Sequence, residues 1–503
     1  SAGACTLVCQ GGTTKCGSAC VVVANDPKNC GGCGVVCSDW CNNGQCCGDG
    51  KKNLAEQCDK NDLGGNDCVS VLGPGWKGSL ACSASCKFDT SGCTPSTIYS
   101  DVADPGKWSM FDAATVNGGA KGYQGGVFDG RYVYFVPHHN GMPNYFGLVT
   151  RYDTQGSFGD KGAWTTFDTT SVNGGAKGFL GGVFDGRYVY LVPHYNGGYN
   201  GIVARYDSQA AFQQQGSWAT FDVTAVHNEA RGFFGGVFDG RYVYLVPCHN
   251  GMPNHNGRVA RYDTKGAFDQ NGSWATFDVN AVKTGARGFH HGGVFDGRYV
   301  YFSPYYNPDL GYNGLVTRYD TQGAFGANGS WSFYDVAAVD AGAKGFHGGA
   351  AFDGRYVYFV PYYNGGYDGI VARFDTQGAF DQKGSWATFD VTAVNAGARG
   401  LMGAGFDGRY LYFVPYHNGM PGYDGIVARF DTQGAFDQKG SWAAFDVSGV
   451  NGAARGFIGG VFDGRYFYLV PYHNGMPGYD GIVARFDTKT PPSMPKGYNG
   501  SFF

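Results

Sequence analysis

The feature that most constrains this chain is a segment repeated seven times between about residues 107 and 488. Its marker, Phe-Asp-Gly-Arg-Tyr, begins at Phe128, Phe184, Phe238, Phe295, Phe352, Phe406 and Phe462, at spacings of 54 to 57 residues. Each copy is rich in Tyr, Val, Phe and Gly. Glu occurs only at Glu56 and Glu229, so 39 of the 41 acidic residues are Asp. Such a composition disfavours helices and favours strands joined by glycine turns. A strand-rich repeat of this length cannot bury its faces alone; copies stacked around an axis can. The expected fold is all-β, a seven-bladed β-propeller with four strands per blade.

In the sixth copy the expected strands are 400–406, 410–415, 426–431 and 442–447. Tight turns are expected at Asp407-Gly408 and Asp424-Gly425. Tyr410–Pro415 is apolar on both faces, as a strand stacked between neighbouring blades must be. The Trp-bearing strands give the closure. The one at Trp108 precedes the first marker, and the last copy ends at Asp487 without a Trp of its own. The strand at residues 107–112 is therefore predicted to complete blade seven, which removes an open edge.

Fifteen of the sixteen cysteines lie between Cys5 and Cys93. That density predicts a small disulfide-rich domain over residues 1–97, in two submodules, in an oxidising and hence extracellular or cell-surface setting. A zinc cluster is the rival for Cys30, Cys33, Cys37 and Cys41, but these lack paired CxxC blocks separated by a loop. Residues 98–106 read as a linker, 107–488 as the propeller and 489–503 as a tail. The opening Ser-Ala-Gly-Ala-Cys reads as a mature terminus left by signal cleavage. The sixteenth cysteine, Cys248, makes the count even, which predicts a bridge from blade three to a cysteine in 1–97, with a bridge to another subunit as the alternative.

Two stretches carry a resemblance. Asp26-Pro-Lys-Asn-Cys-Gly-Gly-Cys-Gly-Val-Val-Cys37 and Cys47-Gly-Asp-Gly50 with Glu56-Gln-Cys-Asp59 resemble cysteine-rich segments of secreted and surface proteins of myxobacteria. The second is similar to the myxobacterial cysteine-rich repeat, departing from it after Asp59. The propeller copies resemble kelch-type repeats in their Tyr-Val-Tyr strand, Arg-Tyr/Phe-Asp strand and Trp. They lack the Gly-Gly that follows the Tyr strand in that family; Val-Pro-Tyr-His-Asn stands there instead. The likeness implies a location and a fold, and such folds host both binders and oxidases.

Charged groups recur in every copy, among them Arg131 and Arg151 with their equivalents. Sevenfold recurrence points to turn caps and Arg–Asp pairs between strands, because a single active site needs different residues converging once. The loop after the second strand is the candidate ligand-binding ring. It carries Asn140, Asn196, Asn250, Asn307, Asn364, Asn418 and Asn474, preceded by His139, Tyr195, His249, Tyr306, Tyr363, His417 and His473. Free interchange of His and Tyr argues against a metal at this ring. Flat rings with polar edges beside an amide suit a sugar face or a protein surface, and suit equally rings packed on the next blade with Asn capping the turn.

No catalytic residues are expected, and a copper-radical site of Cys, Tyr and His is disfavoured by their spread over seven equivalent loops. No nucleophile elbow, phosphate loop or HExxH occurs. No cofactor is expected, calcium at Asp59, Asp62 and Asp67 being the one alternative. The net charge of −4 is spread evenly, so nucleic acid is not the expected partner, and no apolar run is long enough for a membrane span. The terminal aromatics Tyr498, Phe502 and Phe503 are candidate assembly contacts. The expected function is a secreted, non-catalytic structural or adhesive protein whose partner is itself, in a fibre or surface assembly. The alternative is a multivalent lectin for surface glycans.

Overall fold

The structure is a computed structural model. It describes residues 8–488 apart from 38–39, 43, 48–49, 53–56, 73–75, 84–85, 96–98, 142–144, 252–253, 420–421 and 476–477. The chain divides into two compact units that meet in sequence at Tyr99 and Ser100.

In the first unit the described bridges are Cys9–Cys20, Cys16–Cys33, Cys30–Cys41 and Cys37–Cys46, then Cys58–Cys82 and Cys68–Cys93. Cys86 is disulfide-bonded as well. None of these six pairs joins residues 9–46 to residues 58–93, so two stapled submodules result. Every cysteine of the rival zinc cluster is used in a bridge. Asp67 caps the short helix Cys68–Leu72 by accepting the Ser70 N–H, and Asp62 accepts the Lys52 and Gly64 N–H groups. Asp59 is buried.

The second unit is a seven-bladed propeller with four antiparallel strands per blade. Blade one comprises Tyr123–Phe128, Tyr132–Pro137, Leu148–Asp153 and Trp164–Asp168. Blade seven comprises Phe457–Phe462, Tyr466–Pro471 and Ile482–Asp487, completed by Trp108–Asp112. Ile482 pairs with Asp112 and Phe486 with Trp108, so the predicted closure is present. Each outer-strand Trp stacks on an aromatic ring of the preceding outer strand. Phe111–Trp164 stand 4.4 Å apart at 12°, and Trp108 on Phe445 closes the circle at 6.0 Å and 19°.

The packed unit begins before residue 107. Ser100 N–H donates to the Thr488 carbonyl, Val102 is fully buried, and Trp108 Nε1 donates to the Val102 carbonyl. Val102 thus belongs to the last inter-blade core, and the exposed residues 103–106 lead from it into the closing strand.

The recurring charges hold strands and turns. Arg131 pairs with Asp153 at 2.7 Å, and the equivalent pair recurs in each blade through Arg465–Asp487 at 3.0 Å. Asp129, in the first marker turn, accepts the Arg131 and Tyr132 N–H groups and the Tyr134 hydroxyl. Arg151 lies between the rings of Tyr132 and Phe212, 4.0 and 4.3 Å from their centroids. Desolvated stacking of this kind satisfies a cation without a carboxylate.

The expected turn at Asp424-Gly425 is not where that hairpin reverses. His417 bridges Tyr423, and Asp424 caps the third strand by accepting the Ile426 N–H. Gly425 is required there because a Cβ would press on the Ala454 carbonyl, 2.7 Å away. Near the axis, the inner strands carry a bulge at a positive-φ glycine. Gly125 has φ +83°, and its Cβ would lie 2.9 Å from Gly181 Cα in the next blade. Only glycine allows seven strands to approach this closely.

Candidate functional site

In six blades the bulge, and in blade five the turn before the inner strand Ala350–Phe352, brings one side chain per blade to the axis. These are Gln124, Leu180, Phe234, His290, His347, Met402 and Ile458. A second ring comes from the residue after the second strand: His138, His194, Cys248, Tyr305, Tyr362, Tyr416 and Tyr472. Together they line one axial cavity of about 380 Å³. That volume is within the range of small-ligand sites. Neither ring is built from one residue type: the first has six types in seven places, and the second combines four Tyr with two His and one Cys. The surrounding strands are nearly identical from blade to blade, so the blades differ chemically where they meet at the axis.

The second ring is evenly spaced on the tyrosine side. Centroids lie 6.2 Å apart for Tyr305–Tyr362, 6.1 Å for Tyr362–Tyr416, 6.2 Å for Tyr416–Tyr472 and 6.1 Å for Tyr472–His138. The rings of Tyr305, Tyr362, Tyr416 and Tyr472 meet those of Tyr312, Tyr367, Tyr423 and Tyr479 edge-on, with centroids 5.2 to 5.5 Å apart. Burial pushes these four phenols well above their ordinary range, so they stay neutral.

The opposite side holds nitrogen and sulfur. His194 Nδ1 lies 3.1 Å from the Phe233 carbonyl, which fixes Nδ1 as the protonated nitrogen. Gln124 Nε2 and His138 Nδ1 are 3.3 Å apart. Burial holds His194 down at about 4, and takes His138, His290 and His347 well below the usual imidazole range. Among the described residues the lining contains no Lys, Arg, Asp or Glu. At neutral pH the cavity is therefore polar but carries no formal charge.

The predicted ring of His139, Tyr195, His249, Tyr306, Tyr363, His417 and His473 lies one residue further along and is not among the cavity-lining residues. It alternates with Tyr145, Tyr199, His255, Tyr312, Tyr367, Tyr423 and Tyr479 in an unbroken circle. Neighbouring centroids are 4.6 to 5.4 Å apart all the way round. Asn196, Asn307 and Asn364 donate from Nδ2 to the carbonyls of Gly175, Gly285 and Gly342 at 2.8 to 3.0 Å. Asn140 and Asn474 make the same bond at 3.4 and 3.5 Å. In blade three Asn256, not Asn250, reaches the equivalent Glu229 carbonyl. Asn418 is buried with its Oδ1 unpartnered. Inter-blade packing thus accounts for the recurrence of flat rings and amides at these positions without a ligand.

The expected Cys248 bridge is a correction. Cys248 is a free, buried thiol. It points into the axial cavity, packs on Leu180 and Phe234, and its Sγ lies 3.3 Å from His290 Nε2. An even cysteine count gave it a partner; its position just past the Pro247 strand end gives it the axis instead. Tyr498, Phe502 and Phe503 lie outside the described residues.

No family model and no curated protein matches the sequence. Solved structures do. A fungal alcohol oxidase of the AA5 family, in complex with copper, aligns at 10% identity with a TM-score of 0.46, over 77% of this chain and 79% of that one. Hydrazine synthase of Kuenenia stuttgartiensis aligns at 14% identity with a TM-score of 0.41, over 70% of this chain and 93% of that one. A nidogen/laminin complex aligns at 13% identity with a TM-score of 0.34, over 60% of this chain and 94% of that one. At this distance they carry no argument about chemistry. The class, a seven-bladed propeller with an amino-terminal disulfide-rich segment, rests on the strand pairing and bridges of the chain itself.

Proposed function

We propose that this is an extracellular, non-catalytic binding protein that takes one neutral polar ligand, a sugar ring, in the axial cavity. The observation that supports it is the concentration of chemical difference between blades on the axis. A site used once must break the sevenfold repeat, and the cavity is where the repeat breaks. Tyr305, Tyr362, Tyr416, Tyr472 and His138 offer flat rings with polar edges, which stack on a sugar face and bond its hydroxyls. The uncharged lining selects against phosphates and carboxylates. The disulfide-rich segment fits an oxidising compartment. A kelch-like, myxobacterial-type surface protein is the lineage this reading favours.

Of the two functions expected from sequence, this develops the lectin and sets aside self-association, whose candidate contacts at 498–503 lie outside the described residues. It also changes the valency from seven loop pockets to one axial site. Titration calorimetry with a panel of neutral saccharides tests it. One site per chain is expected, with Tyr416→Phe weakening binding about tenfold by removing one hydroxyl contact. A stoichiometry near seven, or ordered polymers in sugar-free buffer with no sugar bound, would replace it.

A further inference from the structure

The axial cavity has two layers that differ in chemistry. Tyr123 pairs with Pro137; His138 stands one residue beyond that pair toward the loops, and Gln124 one residue beyond it in the opposite direction. The ring that begins at His138 is thus the upper layer, and the ring that begins at Gln124 the lower one. Beneath the lower layer the axis closes: Gly125, Gly181, Gly235 and His291 leave no room for a water between them. Blades four and five each carry one extra residue before the marker, His291 and Gly348, directly after His290 and His347. The insertion in blade four therefore helps to seal the floor, with the His291 ring buried 4.8 Å from that of Phe234.

The lower layer is mostly apolar. Leu180, Phe234, Met402 and Ile458 supply four of its seven side chains and are 2 to 5% exposed. Each of the other three has a polar atom engaged by a neighbour. Gln124 Nε2 lies 3.3 Å from His138 Nδ1 in the upper layer. His290 Nε2 lies 3.3 Å from Cys248 Sγ, and His347 Nδ1 lies 2.8 Å from Met402 Sδ. The upper layer is the reverse, with four phenols and two imidazoles in seven places. A cavity that is polar above and apolar at its closed end does not match a sugar alone. Hydroxyls in the lower layer would give up water for few partners, whereas apolar surface there gains by leaving water.

We infer that the ligand is amphiphilic: a neutral sugar ring held by the upper layer and joined to a short, uncharged alkyl or aryl aglycone that lies against Leu180, Phe234, Met402 and Ile458. This rests on the sugar reading of the cavity and adds what the sugar is joined to. The aglycone is short because the floor closes directly beneath the layer that receives it. It is uncharged because a buried charge there would have no counter-charge in the lining.

The test is titration calorimetry on the full chain with methyl, butyl and hexyl β-glucosides, the matching galactosides and mannosides, and 1-hexanol. Each methylene that enters the lower layer is expected to tighten binding about fourfold until the floor is reached. The heat-capacity change of binding should become more negative along the same series. Leu180→Gln and Ile458→Gln each install the residue that blade one carries at Gln124. Both should lower the hexyl-to-methyl affinity ratio about tenfold and leave the methyl glycoside unchanged. Methyl and hexyl glycosides that bind equally would overturn the amphiphile and leave the sugar reading standing. 1-Hexanol bound as tightly as every hexyl glycoside, or no probe bound at all, would overturn the sugar reading and this inference with it. A ratio unchanged in both variants would place the chain elsewhere and also overturns the inference. Should neither variant fold, the chain-length series decides alone.

Discussion

Asp368, Asp424 and Asp480 cap the third strands of blades five to seven, where blades two to four use Asn200, Asn256 and Asn313. The caps are alike: Asp368 accepts the Ile370 N–H and Asn200 the Ile202 N–H. Asn256 and Asn313 donate from Nδ2 to the carbonyls of Glu229 and Gly311, whereas each carboxylate leaves a buried Oδ2 without a partner, as Asn200 leaves its Nδ2. Burial raises all three from 3.8 to about 7. A raised folded-state value means stability that is complete below about pH 4 and lost as pH climbs through 7. The triple variant Asp368→Asn, Asp424→Asn, Asp480→Asn should therefore gain stability at pH 8, about 1–2 kcal/mol per site, and little at pH 4. Denaturant melts at the two pH values read this directly. Cys248 gives a second residue-scale expectation. Alkylation in denaturant without reductant should label the Cys248 peptide fully, whereas the native protein should resist, since its thiol is 2% exposed and burial pushes its ionisation far up.

Strands are the most legible elements. The alternation in Tyr-Val-Tyr, the glycine turns and the missing Trp of the last copy specify pairing and closure from composition and spacing alone. The cavity is less legible, for a reason of parity. Side chains alternate reliably only while the ladder continues, and Pro137 and its equivalents end it. Whether His138 or His139 faces the axis is then set by the loop, which turns the first of the two inward. The inner-strand ring beginning at Gln124 is not among the residues expected from sequence. Its signal is nevertheless present as the variable position between a Gly-aromatic start and Gly-Gly, which become Gly400-Leu401 and Gly403-Ala404 in the sixth copy, and the two 57-residue spacings mark the insertions. At the element scale, Trp108→Ala should cost about 3–5 kcal/mol. It removes the ring packed on Phe445 and Phe486 and the bond to Val102, loosening the strand that closes blade seven. Thermal unfolding measures it, and an unchanged melt would contradict the closure role.

For the whole molecule, the two units are held by different means. All described disulfides lie in residues 9–93, while the propeller unit has a single cysteine. Removing bridges from a small scaffold costs about 2–5 kcal/mol each. Mild reductant should therefore abolish the cooperative melt of the amino-terminal segment and leave that of the propeller in place, two transitions that calorimetry separates.

Closure by an early strand also orders events in time. Asp112 pairs with Ile482, 370 residues later in the chain. At a synthesis rate of about 5–20 residues per second, roughly 20–70 s separate the emergence of the two partners. Throughout that interval Trp108 and Phe111 have no blade to join, and blade seven cannot exist. The propeller is thus expected to finish folding only after its last strand is released, and a pulse-labelled nascent chain should gain protease resistance in one late step. A ring made from a line has to wait for its end.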